Sequence, residues 1–256
     1  MSIPDTSAFP RLSKAPIAEA LIDIRLTDQV TLDQNSQKAL LDGRGDHFTA
    51  VRKRHLGGAD LEIHEGQAVG FRSRPSSVDA LLLYSQDEKE VVQFRVDGFA
   101  FSRLEPYTSW EEIVATALSQ WRVYCEVLRP ERLARVGVRY INRLPVPLGV
   151  RDPASLLVAP PGLPAGIPAT MGRFASQMIL QHKESPRLHC VVTQALVEDM
   201  RADTSDTLIV DVDGFRKGEL KVSEIETLTE SLNDLHSFTK TVFFSSITSN
   251  FLKEFE

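Results

Sequence analysis

Arg135-Val136-Gly137-Val138-Arg139-Tyr140-Ile141-Asn142-Arg143 is the stretch on which the reading of the fold turns. Side chains on a β-strand point alternately to opposite faces, so Val136, Val138 and Tyr140 share one face and Arg135, Arg139 and Arg143 the other. One face can enter a core while the other carries three fixed cations. The same alternation runs through 18–26, where Ala18, Ala20, Ile22, Ile24 and Leu26 oppose Glu19, Leu21, Asp23 and Arg25, and it predicts a second half-buried strand.

Outward from these two strands the chain reads as further strands joined by short turns. Strand-like runs occupy 61–64, 67–74, 80–85, 90–96 and 99–104, separated by Glu65-Gly66, Pro75-Ser76-Ser77, Asp87-Glu88-Lys89 and Asp97-Gly98. Short connections make antiparallel hairpins, and Asp-Gly is a favoured two-residue turn. Before them, 33–55 reads as helix in its first part, interrupted at Gly43 and Gly45 and followed by a short helix or loop. Ser109, with Glu112 three residues on, has the pattern of a helix cap opening a helix that stops before Pro130. After the Pro- and Gly-rich stretch 145–170, strands are expected near 173–183, 187–198 and 206–213. A helical tract then begins at Ser223, with Ile225, Leu228, Leu232, Leu235 and Phe238 on one face and a bend or a new helix from Thr239 onward.

This order predicts an α+β fold: a mostly antiparallel sheet covered on one side by long helices. Residues 1–144 form an N-terminal half, 145–170 a loop or linker, and 171–256 a C-terminal set of strands plus helix that can join the first half in one domain. Val96-Asp97-Gly98-Phe99 recurs as Val212-Asp213-Gly214-Phe215, which fits either a duplicated strand-rich unit or the frequency of Asp-Gly turns.

Composition narrows the function. With 42% hydrophobic and 25% charged residues in 256, the chain has a globular balance. Two cysteines in that length point to unpaired thiols and a reducing compartment. Pro4, Asp5 and Pro10 interrupt any apolar run that a signal peptide needs, and no stretch approaches the roughly 20 apolar residues that span a bilayer. The expectation is a cytoplasmic protein that does not engage a membrane.

The net charge of −6 is unevenly placed. Residues through 151 carry 16 Arg and 4 Lys against 20 acids and are neutral; those from 152 carry 4 Arg and 5 Lys against 15 acids. Nucleic-acid binding, which needs clustered positive charge, is not expected, since Arg52-Lys53-Arg54-His55 is the only basic run. The excess of Arg over Lys fits either recognition of anions or partners through guanidinium forks or the codon usage of a GC-rich genome.

Several strands place arginine opposite an apolar face. Arg25, Arg72, Arg95, Arg135, Arg139 and Arg143 are therefore the candidate binding residues, for an anionic small ligand or the acidic segment of a partner. The alternative is a sheet surface on which they pair with Asp and Glu across strands. His47, His55 and His64, near Asp46, Asp60 and Glu62, match no zinc spacing, and His182, His189 and His236 stand isolated. Asp211 and Asp213 lie on one side of a strand as a Mg²⁺ pair would, but Asp213 and Asp97 read better as turn residues. Gly-Lys-Ser/Thr, Gly-x-Ser-x-Gly and Cys-x-x-Cys patterns are missing, so neither catalytic residues nor a cofactor or metal are assigned.

Ala15-Pro16-Ile17-Ala18-Glu19-Ala20 and Arg135–Arg143 together resemble the marker segments of a sporadically distributed bacterial family of uncharacterised proteins of roughly this length. Leu235-His236 and Phe243-Phe244 in the terminal helix extend the resemblance over nearly the whole chain. It implies a stand-alone accessory protein of patchy distribution, as in defence or toxin–antitoxin loci, with no catalytic residue to carry over. Two classes follow: a binding or regulatory protein acting through a protein partner or as a homo-oligomer, and an enzyme or sensor that holds a phosphorylated small molecule or nucleotide on the arginine face.

Overall fold

The computed structural model of the chain describes residues 9–10, 12–64, 67–147, 150, 152–198 and 206–256, and over 57–64 and 67–76 the backbone alone. Ile17–Leu26 forms β1 and Arg132–Pro145 forms β6, and they lie side by side, antiparallel, with Ile22 opposite Val138 and Ile24 opposite Val136. These are the two alternating stretches of the sequence, and their apolar faces coincide.

Around this pair the remaining strands are Phe48–His64 (β2), Gln67–Ser85 (β3), Glu90–Arg95 (β4), Gly98–Leu104 (β5), Phe174–Gln181 (β7), Leu188–Glu198 (β8) and Asp206–Lys221 (β9). They make a nine-stranded antiparallel sheet in the order β2-β3-β4-β5-β1-β6-β9-β8-β7. Each half of the chain thus returns its last meander strand to the side of its first: β5 beside β1, β9 beside β6.

Four helices, Gln34–Gly43 (α1), Trp110–Leu128 (α2), Ile225–Ser246 (α3) and Ser249–Leu252 (α4), complete the described elements. Ser109 caps α2 by accepting from the Glu112 amide at 3.2 Å, and Asp33 caps α1 through the Ser36 amide. Ile22, Ile24, Val136, Val138, Phe99 and Phe101 pack beneath Ile113, Trp121 and Tyr124 of α2 and Leu228, Leu232 and Leu235 of α3. Each fully buried aliphatic side chain contributes roughly 1.5–3 kcal/mol of transfer free energy. A second cluster gathers Val192, Leu208, Val210 and Val212 beneath Phe243 of α3 and Phe251 of α4.

The structure departs from the sequence reading at five places. The stretch expected as short helix or loop after Gly45 is instead the start of β2, because β3 supplies it with a partner strand from Phe48 onward. Pro75-Ser76-Ser77 does not end a strand: β3 runs on through a pairing irregularity between Leu56–Ser77 and Gly58–Arg74, where a proline takes no ladder donor away.

Asp213-Gly214 is not a turn, since β9 continues through it with Val138 opposite Gly214 in β6 and Cys190 opposite it in β8. Glycine is needed there because a Cβ would stand 2.5 Å from the Thr239 methyl of α3. In the matching tetrapeptide, Gly98 does begin a strand after a turn, at φ 148°, where a Cβ would meet the Ile24 carbonyl at 2.1 Å. The two tetrapeptides therefore occupy different positions in their strands.

Helix α3 runs without a break past Thr239 to Ser246. The 145–170 stretch is partly structural, with Leu156 and Leu157 buried in the second cluster and Leu157 bridged to Ile247. No helix among the described residues is long and apolar enough to cross a membrane.

Candidate functional site

The face of the sheet away from the helices carries four of the six predicted arginines. Asp23 of β1, only 6% exposed, accepts from Arg95 Nη2 at 2.6 Å, Arg135 Nη1 at 2.7 Å and Arg25 Nε at 3.1 Å. Arg25 also pairs with Asp97, Arg135 forks onto both oxygens of Asp213 at 2.8 Å, and Arg139 holds Asp211 through Nε at 2.8 Å and Nη2 at 2.6 Å. The result is a band of alternating charge across β4, β1, β6 and β9, in which each of these arginines is met by aspartate.

Burial would raise the Asp23 carboxyl, but the surrounding Arg95, Arg25 and Arg135 outweigh it and hold the group below its ordinary value. Asp213 lies above its ordinary value, because burial outweighs Arg135 and Arg139 and Asp23 repels it as well. The arrangement also occupies the Asp211–Asp213 pair considered for Mg²⁺: Arg139 and Arg135 fill those carboxylates. Among the described residues no group of three His, Cys, Asp or Glu converges as a metal site.

Two of the six predicted arginines stand elsewhere. The Arg72 side chain lies outside the described residues; its backbone pairs with Asp60 in the β2–β3 hairpin. Arg143, at the end of β6, borders a cleft on the helix-covered side of the sheet.

That cleft, of about 1710 Å³, opens where the start of α2, the end of β6 and the middle of α3 meet the N-terminal stretch preceding β1 and the C-terminal Phe255. Its walls bring together Tyr107, Trp110, Tyr140 and His236. The Trp110 and His236 rings stack with centroids 4.5 Å apart and an interplanar angle of 3°. Trp110 Nε1 donates to Asn233 Oδ1 at 2.8 Å, so its ring is held from both α2 and α3. The Tyr140 hydroxyl lies 2.8 Å from His236 Nδ1, and the Tyr107 ring meets the Tyr140 ring edge-on at 6.1 Å.

Burial, assisted by Lys240 one turn further along α3 and opposed by Glu111, lowers His236 to about 4. Burial likewise pushes the Tyr140 hydroxyl well above its ordinary value. Near neutral pH the imidazole is uncharged and the phenol protonated, so one hydrogen bond joins them, with its direction set by the imidazole tautomer.

No protein-family model and no curated protein matches the chain. What the cleft can do rests on its own chemistry. His236 is a weak base at this value. The nearby hydroxyls serve the backbone: Ser109 caps α2, and Thr239 donates to the carbonyls of Leu235 and His236. The walls offer aromatic faces, the neutral His236 imidazole and charges of both signs in Lys14, Arg143, Lys240, Glu105 and Glu111.

In the sequence His236 stands isolated, and no motif singles out Tyr107 or Trp110. Tyr140 was assigned to the core face of its strand, and it is 7% exposed. The one signal in the sequence is His236 next to Leu235, a polar ring beside the buried face of α3.

Proposed function

We propose that the protein is a binding protein whose cleft takes an extended peptide segment of another protein. The volume carries this reading: about 1710 Å³ exceeds the roughly 300–1,000 Å³ typical of small-molecule pockets. Aromatic faces interspersed with polar and charged groups suit a chain segment that is recognised by side-chain stacking and scattered hydrogen bonds. The resemblance of the marker segments supports placing such a partner among the products of a defence or toxin–antitoxin type locus, with this chain as an accessory component.

Panning a random peptide display library on the full chain, then titrating a selected peptide against tryptophan emission, tests the proposal. Of the two tryptophans, Trp121 is 1% exposed in the core, so a segment in the cleft changes the emission of Trp110. Trp110→Ala weakens binding at least about tenfold, or about 1.4 kcal/mol, while Arg139→Ala on the opposite face leaves it unchanged. Selected peptides that bind Trp110→Ala as tightly as the parent chain would sink the reading.

A further inference from the structure

A second pocket, of about 320 Å³ and sharing no lining residue with the cleft, lies where the turn joining β7 to β8 meets β9 and the first half of α3. Its walls carry two guanidiniums, Arg187 from the turn and Arg216 from β9. Unlike Arg25, Arg95, Arg135 and Arg139, neither of them is paired with a carboxylate among the described residues. Ser231 of α3, only 3% exposed, donates its hydroxyl to the Thr227 carbonyl at 2.7 Å and therefore accepts from Arg216 Nη1, also at 2.7 Å. One prong of that fork is thus fixed, and its remaining donors are left for a ligand. The turn is anchored as well. The Leu188 amide donates to the Ser185 carbonyl at 2.8 Å, the Lys217 amide to the Arg187 carbonyl at 3.2 Å and Gln181 Nε2 to the Pro186 carbonyl at 2.9 Å. Asp234, three residues beyond Ser231 on α3, lines the same pocket and pairs with neither guanidinium.

We propose that this pocket binds a small phosphate monoester, with Arg187 and Arg216 on the phosphate oxygens and Asp234 accepting from a hydroxyl of the ligand. Guanidinium forks match phosphate in both geometry and charge, and two of them without carboxylate partners supply what the neutralised band on the other face of the sheet does not. The Asp234 carboxylate disfavours a bare anion and favours one that brings its own hydrogen-bond donor. A volume of about 320 Å³ stands at the small end of the roughly 300–1,000 Å³ of small-molecule sites, so the ligand is a compact ester.

Isothermal titration calorimetry of the full chain with inorganic phosphate and with glycerol phosphate tests this. Both bind, and glycerol phosphate binds about tenfold more tightly, as one hydrogen bond to a charged acceptor provides. Arg187→Gln changes an exposed side chain, and Arg216→Gln one bonded only to Ser231; each weakens both ligands at least about tenfold. Asp234→Ala binds inorganic phosphate more tightly than the parent chain does and no longer prefers glycerol phosphate. Arg139→Ala, on the neutralised face, leaves both affinities unchanged. Arg187→Gln keeps the parent affinity for a cleft-binding peptide, so this pocket and the cleft are tested separately. No binding of either ligand, binding that survives the loss of both Arg187 and Arg216, or an unchanged preference in Asp234→Ala overturns the proposal.

Discussion

The guanidinium of Arg135 lies over Gly137, two residues along its own strand, so closely that a Cβ at Gly137 would stand 2.7 Å from Arg135 Nη1. Only a bare backbone lets that side chain run along β6 and reach Asp23 in β1 and Asp213 in β9 together. The Phe215 ring, in the strand position opposite Gly137, packs against the guanidinium with its centroid 4.7 Å from Cζ. Gly137→Ala moves Arg135 off both carboxylates and costs about 1–3 kcal/mol, the usual range for a buried polar group left unmatched. Arg139→Ala, which removes a side chain 41% exposed, costs at most about 1 kcal/mol. Urea denaturation of the two variants distinguishes these outcomes, and equal losses would show that Gly137 does not position Arg135.

Asp23 makes the fold acid-sensitive. Its folded-state value lies below the ordinary one, so its contribution is complete above the unfolded value, near 4, and is lost as pH falls through the lower folded value. Asp213 has the opposite sign: raised in the folded state, it loses stability as pH rises through its folded value. Asp23→Asn leaves Arg95, whose side chain is 7% exposed, without its closest carboxylate, and costs about 3–5 kcal/mol at neutral pH. As pH falls below the ordinary carboxylate value the difference between the variant and the parent chain shrinks. Denaturation midpoints measured from pH 7 to pH 3 check this, and a constant difference would contradict it.

His236 titrates far below an ordinary histidine. Lowered to about 4 in the folded state against 6.5 for the free side chain, it binds its proton in the unfolded chain first. Stability from this group is therefore present above about 6.5 and is lost as pH falls from there towards about 4. A proton NMR titration should find the imidazole resonance flat from pH 8 to 5, with its midpoint near 4. Trp110 emission should change over the same interval, because a charged imidazole then stacks on the indole. His236→Gln abolishes the emission change. A midpoint near 6.5 would mean that the Trp110–His236 stack does not exclude water.

Alternation at Val136, Val138 and Tyr140 and at Ala20, Ile22 and Ile24 placed β1 and β6 to within three residues at each end, and the Ser109–Glu112 spacing placed the start of α2, because period and capping are local properties of the chain. The antiparallel sheet was legible for the same reason. The first part of β2, before the run expected at 61–64, was not: it has no clear period of its own, and over 48–56 it is held by residues more than twenty positions later in the chain. Asp213-Gly214 looked like Asp97-Gly98, and only the strands on both sides and Thr239 above decided that one is strand interior and the other a turn.

The arginines could be assigned to one face from sequence, but not their state, since Asp23, Asp97, Asp211 and Asp213 reach them only when β4, β5, β1, β6 and β9 lie side by side. The cleft was invisible for a stronger version of that reason. Tyr107, Trp110, Tyr140 and His236 come from two helices' surroundings and a strand, and each taken alone reads as ordinary core or surface. The sequence by itself determined the strands and helices that carry a clear period or cap, β1, β6 and α2 foremost, and which faces they bury. Only the tertiary structure decided which charges cancel and which rings meet, because those pairings depend on distances between segments that no local pattern encodes.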